Sequence, residues 1–240
     1  MPFTAPSLRA WRRVTSVVAR GTQPSRPRRL GRPIASDGDE RRRRIIESAR
    51  RQFARSGFAG TTNREIAERA GITTGAIYHY FRSKLEVYLA VFEETDRLIL
   101  ERYAQVTADP TMSFDQMVAA ILEVSSQMNR EDESLAAFIT SASVDAHRTP
   151  DLMASYRGHD RQMVSFFERL VDRGIAEGSL DPAMRSDAMA AIRVLTIGLT
   201  WYSVRVHDPE AHRKATVATV AALRGELFAP GGQRRRRKAG

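Results

Sequence analysis

Cysteine is absent from the 240 residues, and its absence excludes disulfides and thiolate metal sites. No apolar run approaches the roughly 20 residues that are needed to span a bilayer. No segment alternates with period two for long enough to indicate a strand. We therefore expect an all-α, soluble protein with no membrane partner, and the lack of cysteine fits a reducing compartment such as the cytoplasm. Because 42% of the residues are hydrophobic, the chain can bury one large core or two smaller ones.

Acidic and basic residues are distributed unevenly along the chain. Residues 1–36 contain eight arginines and no acidic residue, and residues 234–238 add five basic residues. Between them, residues 41–84 hold eleven basic and three acidic side chains, whereas residues 85–233 hold fourteen basic and twenty-two acidic ones. A basic segment joined to an acidic body suits a protein that presents one face to the phosphates of DNA.

Composition divides the chain into four parts. Residues 1–36, rich in Pro, Ser, Gly and Arg, are interpreted as a disordered basic extension. A flexible DNA-binding arm or a start codon placed too far upstream is favoured there over an organelle transit peptide. Residues 37–84, with the start of a fourth helix to about 100, form a small first domain. Residues 107–228 form a larger helical domain, and residues 229–240 a disordered basic tail.

Helical periodicity starts after the possible N-caps at residues 36–39, and Gly57 ends the first helix. Further helices are predicted at about 62–70, 74–80, 83–106, 113–129, 131–146, 150–177, 185–206 and 210–228. Thr62 and Glu65 have the spacing of a capping box, in which each side chain satisfies a free backbone N–H. Gly71 can adopt the positive φ that a sharp turn requires.

The stretch from Thr62 to Lys84 fits a helix-turn-helix. Two closely crossed helices need a small residue inside the first, a glycine in the turn, and apolar residues where they touch. Ala67 is the small residue and Gly71 follows it by four positions. Three isoleucines supply the contacts: Ile66, Ile72 and Ile77. Because five positions agree, the signal is much stronger than an isolated Ala-x-x-x-Gly.

These residues resemble the N-terminal domain of the TetR family over about residues 40–90. The resemblance rests on Arg44-Ile45-Ile46, Phe53, Gly57, Thr61-Thr62, Glu65-Ile66-Ala67, Ala70-Gly71-Ile72, Thr74-Gly75-Ala76-Ile77-Tyr78, Tyr80-Phe81 and Ser83-Lys84. In the family an acidic residue commonly follows the lysine, whereas here Leu85 precedes Glu86. The resemblance implies a three-helix DNA-binding domain and a helical C-terminal domain that dimerises and binds a small-molecule effector. It also implies a ligand-responsive homodimeric repressor of a palindromic operator, associated with the nucleoid. The alternatives are an activator of the same fold and a non-specific DNA-binding protein.

The short helix from Thr74 to Tyr80 is expected to enter the major groove and present side chains to base edges. Arg64 could contact either a guanine or a phosphate. Thr62, Tyr80 and Lys84 are expected to contact phosphates. The alternative for Tyr78 is packing against Phe53 or Phe81, and that for His79 is simple exposure. The predicted DNA-binding residues are Thr62, Asn63, Arg64, Thr73, Thr74, Gly75, Ala76, Tyr78, His79, Tyr80 and Lys84.

Two groups of cations lie near expected helix N-termini, where the helix dipole disfavours positive charge. Lys84 lies in the first turn of the fourth helix, and Arg41 to Arg44 lie at the beginning of the first. Both positions suggest an external anion. For the four arginines the hypothesis is contact at the edge of the minor groove, and the alternative is an ordinary solvated face.

In the larger domain, helix 185–206 is apolar nearly all round, with Ile192 and Leu199 on one side and Val194 and Trp201 on the other. With helix 210–228 it is expected to form a homodimeric four-helix bundle. Candidate pocket residues are Phe114, Met117, Phe138, His147, Met163, Phe166, Phe167 and Trp201. For each of them taken alone, ordinary core is the stronger interpretation, because aromatic residues and methionine at helical spacing usually pack in a core. We expect no catalytic set, no cofactor and no metal site, including at His147, Asp151 and His159.

Overall fold

The structure is a computed structural model that describes residues 37–227, apart from the side chains of residues 154, 155, 158 and 159. Nine α-helices and one short 3₁₀ helix occupy this range, which contains no strand. The all-α prediction is therefore confirmed. The α-helices are α1 (Asp37–Ser56), α2 (Asn63–Ala70), α3 (Thr74–Tyr80), α4 (Lys84–Val106), α5 (Phe114–Glu131), α6 (Glu133–Arg148), α7 (Pro150–Ala176), α8 (Arg185–Val206) and α9 (Pro209–Leu223). The expected extension at 1–36 and tail at 229–240 lie outside the described residues.

Local signals explain where the helices begin and end. Gly57, Gly71 and Gly178 have positive φ where α1, α2 and α7 end, as their positions in the sequence predict. The prediction was wrong for the last helix, which ends at Leu223 and not at about 228. Gly225, with φ of 66°, turns the chain there.

Two hydrophobic cores hold the helices together. The first joins α1–α4 to α6 and α7, with Phe53 and Phe138 fully buried at its centre. The second lies among α4–α9 and centres on Met117, Ile121 and Val171. Fully burying one such side chain contributes on the order of 1.5–3 kcal/mol.

Polar contacts also join α6 to the first helices. The Arg50 guanidinium of α1 donates to the Asp132 carboxylate and to Ser134 Oγ at the start of α6. At the other end of α6, Asp145 Oδ2 accepts the Phe58 N–H at 2.8 Å and the Tyr88 hydroxyl at 3.3 Å. Desolvation raises the pKa of Tyr88, and the neighbouring Asp145 charge raises it further. The loop after α1 is therefore fixed directly to the larger half of the protein.

Candidate DNA-binding face and ligand cavity

The turn between α2 and α3 has the geometry that its sequence predicts. Glu65 N–H donates to Thr62 Oγ1 at 3.3 Å, and Thr62 N–H donates to Glu65 Oε2 at 2.8 Å, which confirms the capping box. The Thr62 backbone N–H and hydroxyl both donate to the Glu65 carboxylate, and these two hydrogen bonds lower the pKa of Glu65. At the end of α2, Gly71 has φ of 68° and ψ of 35°, and Ile72 N–H reaches back to the Ala67 carbonyl at 3.0 Å. The chain can therefore reverse sharply into α3.

Helix α3 is anchored on one side and open on the other. Ile77 is fully buried in the first core, and Thr73 caps the helix by accepting the Ala76 N–H at 3.2 Å. Tyr78 is 55% exposed and His79 is also exposed. The alternative of a core role for Tyr78 is therefore wrong. The remaining predicted residues on this short helix and its cap lie at or near the surface: Thr73, Thr74, Gly75 and Ala76.

The predicted residues at the start of α2 divide into two exposed side chains and one buried one. Thr62 and Arg64 are exposed. Asn63 is only 9% exposed, and its Oδ1 has no hydrogen-bond partner within the described residues. The expectation of a DNA contact through the Asn63 side chain is therefore corrected, because this side chain packs inward beneath the helix N-terminus. Its backbone N–H, in the first turn, has no partner within the helix.

Lys84 has an internal role that its sequence position did not reveal. Its ammonium donates to the Phe58 carbonyl at 2.7 Å and to the Thr61 carbonyl at 2.8 Å, and it lies 4.4 Å from the centre of the Phe58 ring. The argument for an external anion was therefore wrong, because two carbonyls and a ring already compensate the charge at the start of α4. Tyr80, the other predicted phosphate contact on this side, is half-buried against the first core.

The arginines of α1 also have partners within the protein. Helix α1 begins at Asp37, so three acidic residues precede the arginines in its first turn. Arg41 pairs with Asp37 at 2.9 Å, Arg43 pairs with Glu40 at 2.6 Å, and Arg42 lies over the Phe81 ring. The supposed conflict with the helix dipole was wrong because the helix starts one turn earlier than expected.

A cavity of about 260 Å³ lies among α4, α5, α6, α7 and α8. Met163, Phe167 and Trp201, three of the predicted pocket residues, line it. Aromatic rings on α4 and α7 complete much of its wall, and hydroxyl groups from α5, α6 and α8 interrupt it. The other lining residues are Phe92, Asp96, Ile99, Tyr103, Ser125, Met128, Asn129, Leu135, Ile139, Ser143, Tyr156, Asp160, Arg193, Thr196, Ile197 and Thr200.

The other predicted pocket residues lie elsewhere. Met117 and Phe138 are fully buried in the two cores. Phe114 packs on Gly174, where an added Cβ would come within 2.6 Å of its ring. His147 is exposed, and its Nδ1 donates to the Ser143 carbonyl at 2.6 Å. The ring of Phe166 lies 5.8 Å from that of Tyr103, tilted by 42°, and is outside the cavity lining. These assignments are corrected because helical spacing marks an inward side chain but does not distinguish a packed interior from a hollow one.

Sequence analysis missed the charged residues of the cavity. Asp96 projects from α4 beside Phe92 and Ile99, and burial, with a smaller effect from Asp160, raises its pKa to about 7. Asp160 on α7 pairs loosely with Arg193 on α8, at 3.5 Å. A usable signal was present, because positions 92, 96, 99 and 103 follow the inner stripe of α4 and only one of them is acidic.

Helices α8 and α9 leave an apolar face uncovered. Ile192, Leu199 and Val220 are buried in the second core. On the opposite sides of the two helices, large apolar side chains remain exposed, with Val194 68% and Val217 54% exposed. The same face includes Ile197, Trp201, Tyr202, Leu223 and Leu227. Contiguous exposed apolar surface of this kind marks an interaction site.

Residues 37–227 include no helix that is both long enough and apolar enough to cross a membrane. Among the described side chains, which do not include that of His159, no three histidine, aspartate or glutamate side chains come together in a way that could hold a metal ion.

The sequence profile of the bacterial regulatory proteins of the tetR family matches residues 45–91, which run from α1 into α4. The HTH-type transcriptional repressor KstR2 of Mycolicibacterium smegmatis is 25% identical over 171 residues, covering 70% of this chain and 80% of KstR2. The HTH-type transcriptional regulator AcrR of Shigella flexneri is 31% identical over 98 residues, covering 39% of this chain and 46% of AcrR. The match to KstR2 thus extends well into the C-terminal helices.

Solved structures share the whole fold. A putative TetR-family regulator from Rhodococcus sp. aligns with a TM-score of 0.63 and 18% identity, over 78% of this chain and 98% of the other. The regulator FadR of Bacillus subtilis, solved with stearoyl-CoA, aligns with a TM-score of 0.62 and 18% identity, over 74% of this chain and 96% of FadR. With the tetR-family sequence profile over residues 45–91 and the same helical layout over about three quarters of its length, the chain resembles the TetR family of DNA-binding transcription regulators.

Proposed function

We propose that the protein is a homodimeric repressor that binds a palindromic operator through α3 and releases it when a small molecule occupies the cavity. The observation that carries the proposal is the arrangement of α3, which is fixed by buried Ile77 and leaves Tyr78 and His79 exposed. A seven-residue helix is too short to be stable alone. It is held on the protein as a rigid projection of the kind that enters a major groove.

In this proposal the exposed side chains of α3 read bases, and the surrounding groups hold the backbone. Thr74, Tyr78 and His79 contact base edges, while Thr73, Gly75 and Ala76 allow the helix to approach closely. Arg64, Thr62 and Tyr80 contact phosphates. Lys84 acts indirectly, because it fixes the loop that precedes α2.

Selection of bound fragments from the source genome would identify the operator, and competition against bulk DNA would then test specificity. A regulator prefers its site by about three orders of magnitude or more. We expect Thr74→Ala to change the preference among operator variants and Tyr80→Phe to weaken binding to all of them. A preference for the operator below tenfold would favour the non-specific DNA-binding protein instead.

The proposed dimer forms through α8 and α9, whose exposed apolar face supports it. A two-fold dimer would place two copies of α3 about 34–36 Å apart, the spacing of successive major grooves. Val194→Asp should give monomers in sedimentation experiments and abolish operator binding. Val144→Asp, on α6, is the matched control, because Val144 is also exposed but lies outside that face. Dimers that persist in Val194→Asp would refute this interface.

Repression is proposed over activation because the matched relative KstR2 is a repressor by name. A reporter placed behind the selected operator separates the two outcomes. Deletion of the gene for this protein should raise expression of the reporter. If the protein were an activator, the deletion would lower expression of the reporter. Action on chromosomal DNA also implies the cytoplasm and association with the nucleoid.

A further inference from the structure

The cavity combines an aromatic wall with an excess of negative charge. Rings of Phe92, Tyr103, Tyr156, Phe167 and Trp201 line it, and they come from three helices. The charged residues in its wall are two carboxylates and one guanidinium. An apolar lining with a few convergent polar groups is the usual composition of a small-molecule site.

Among the described residues, Asp96 has no counter-charge. It makes no hydrogen bond and no ion pair with any residue in the part of the chain that the structure describes. The guanidinium of Arg193 pairs with Asp160, so it compensates that carboxylate and leaves Asp96 unpaired. Burial of an unpaired carboxylate is costly, and it is relieved either by a proton or by a cation.

We propose that the cavity binds an amphiphile with a protonated amine, whose ammonium is held by Asp96 and whose apolar body lies against the aromatic wall. The ammonium supplies the positive charge that Asp96 lacks, and aromatic faces attract cations in addition to burying alkyl groups. This inference rests on the proposed role of the cavity as the effector site.

The geometry disfavours the other kinds of ligand. An acyl chain with a carboxylate or phosphate head would bring a third anion close to Asp96 and Asp160. A bare metal ion would need several oxygen or nitrogen ligands, and among the described residues no such group is present. The cavity volume of about 260 Å³ is close to the lower end of the usual range for small-molecule sites, so the ligand is small.

Three probes of one length separate the head groups: octylamine, 1-octanol and octanoate. Their binding to the full-length protein at neutral pH can be measured by calorimetry. We expect octylamine to bind at least tenfold more tightly than 1-octanol, and octanoate to bind most weakly. Equal affinities, or tighter binding of octanoate, would overturn the inference.

Asp96→Asn keeps the shape of the side chain and removes its charge. The substitution should weaken the binding of octylamine by tenfold or more and change the binding of 1-octanol by less than about threefold. The reason is that it alters only the contacts of the head group and leaves the burial of the apolar chain intact. Glu93→Gln is the matched control, because Glu93 is exposed on the same helix and does not line the cavity. Unchanged octylamine affinity in Asp96→Asn would overturn the inference, and intact binding of 1-octanol shows that the variant is folded.

Operator binding without any ligand distinguishes this inference from the proposed function. If the protein selects genomic fragments but prefers octanoate, the inference about the ligand is wrong and the proposed function stands. If it binds octylamine through Asp96 but selects no DNA, the proposed repressor function is wrong and the assignment of the head group stands.

Discussion

Lys84→Met tests whether the lysine at the start of α4 holds the protein together or binds DNA. The substitution keeps most of the stem and removes the ammonium that donates to the Phe58 and Thr61 carbonyls. Two hydrogen bonds from a charged donor contribute together about 4 kcal/mol, and the ring contact adds about 1 kcal/mol. Ordering the long side chain costs about 2 kcal/mol. The expected loss in the free energy of unfolding is therefore about 3 kcal/mol.

Thermal unfolding at fixed protein concentration measures this loss. For a chain of this size, 1 kcal/mol shifts Tm by roughly 2–4 °C, so Lys84→Met should lower Tm by about 6–12 °C. Arg82→Met is the matched control. Arg82 lies two residues before Lys84 and is exposed, and the substitution removes the same charge. Its Tm should change by no more than about 2 °C.

The opposite result would restore the phosphate contact that the sequence suggested. In that case Lys84→Met would keep the Tm of the unsubstituted protein, weaken binding to every DNA sequence equally, and lower the slope of affinity against salt by about 1. Such a result would show that the contacts to Phe58 and Thr61 contribute little to stability.

Three further substitutions test the turn, the buried histidine and the contact between α1 and α6. Gly71→Ala should lower the free energy of unfolding by about 1 kcal/mol, measured as a lower Tm. The reason is that φ is 68° at this position, and only backbone strain opposes the added methyl group. An unchanged Tm would contradict the left-handed turn. Burial lowers the pKa of His212, so the unfolded chain takes up the proton first as pH falls. The stability that the neutral ring provides is therefore lost as pH falls below about 6.5. The Tm difference between the unsubstituted protein and His212→Gln should shrink between about pH 7.5 and about pH 5.5, and a constant difference would refute this prediction. Asp132→Asn keeps a good N-cap but leaves the Arg50 guanidinium unpaired at 6% exposure, which should cost about 3 kcal/mol in chemical unfolding; the exposed pair lost in Asp172→Asn should matter much less, and equal effects would count against a structural role for the buried pair.

Much of the fold can be predicted because helix boundaries are determined by nearby residues. The capping box at Thr62 and the positive φ of Gly71 involve partners within a few positions, and both agree with the sequence. The same is true of α3, whose limits at Thr74 and Tyr80 follow from a cap and a short apolar pattern. Even the error at α1 was local, since the helix simply begins one turn earlier, at Asp37.

Contacts between distant parts of the chain could not be predicted in this way. Lys84 binds carbonyls that lie 23 and 26 residues earlier in the sequence. Phe138 and Met163 are both apolar residues within helices, yet one is in a packed core and the other lines a cavity. The difference depends on how five helices are placed around a space, and helical periodicity carries no information about that placement.

Helix α4 connects the two functional regions physically. Its first residue, Lys84, holds the loop before α2, and Phe92 and Asp96 line the cavity. At 1.5 Å per residue, Asp96 lies about 18 Å along the helix from Lys84. A helix of 23 residues moves nearly as a rigid rod, so a ligand that shifts its middle must also move its end, unless the loop contacts break. Because α1 and the loop after it are fixed to α6 by Arg50 and Asp145, the first helices cannot follow freely. In the proposed dimer, a ligand that displaces the middle of α4 would therefore strain the contacts that hold α2 and α3, and a resulting tilt of these helices in both protomers would change the spacing between the two copies of α3.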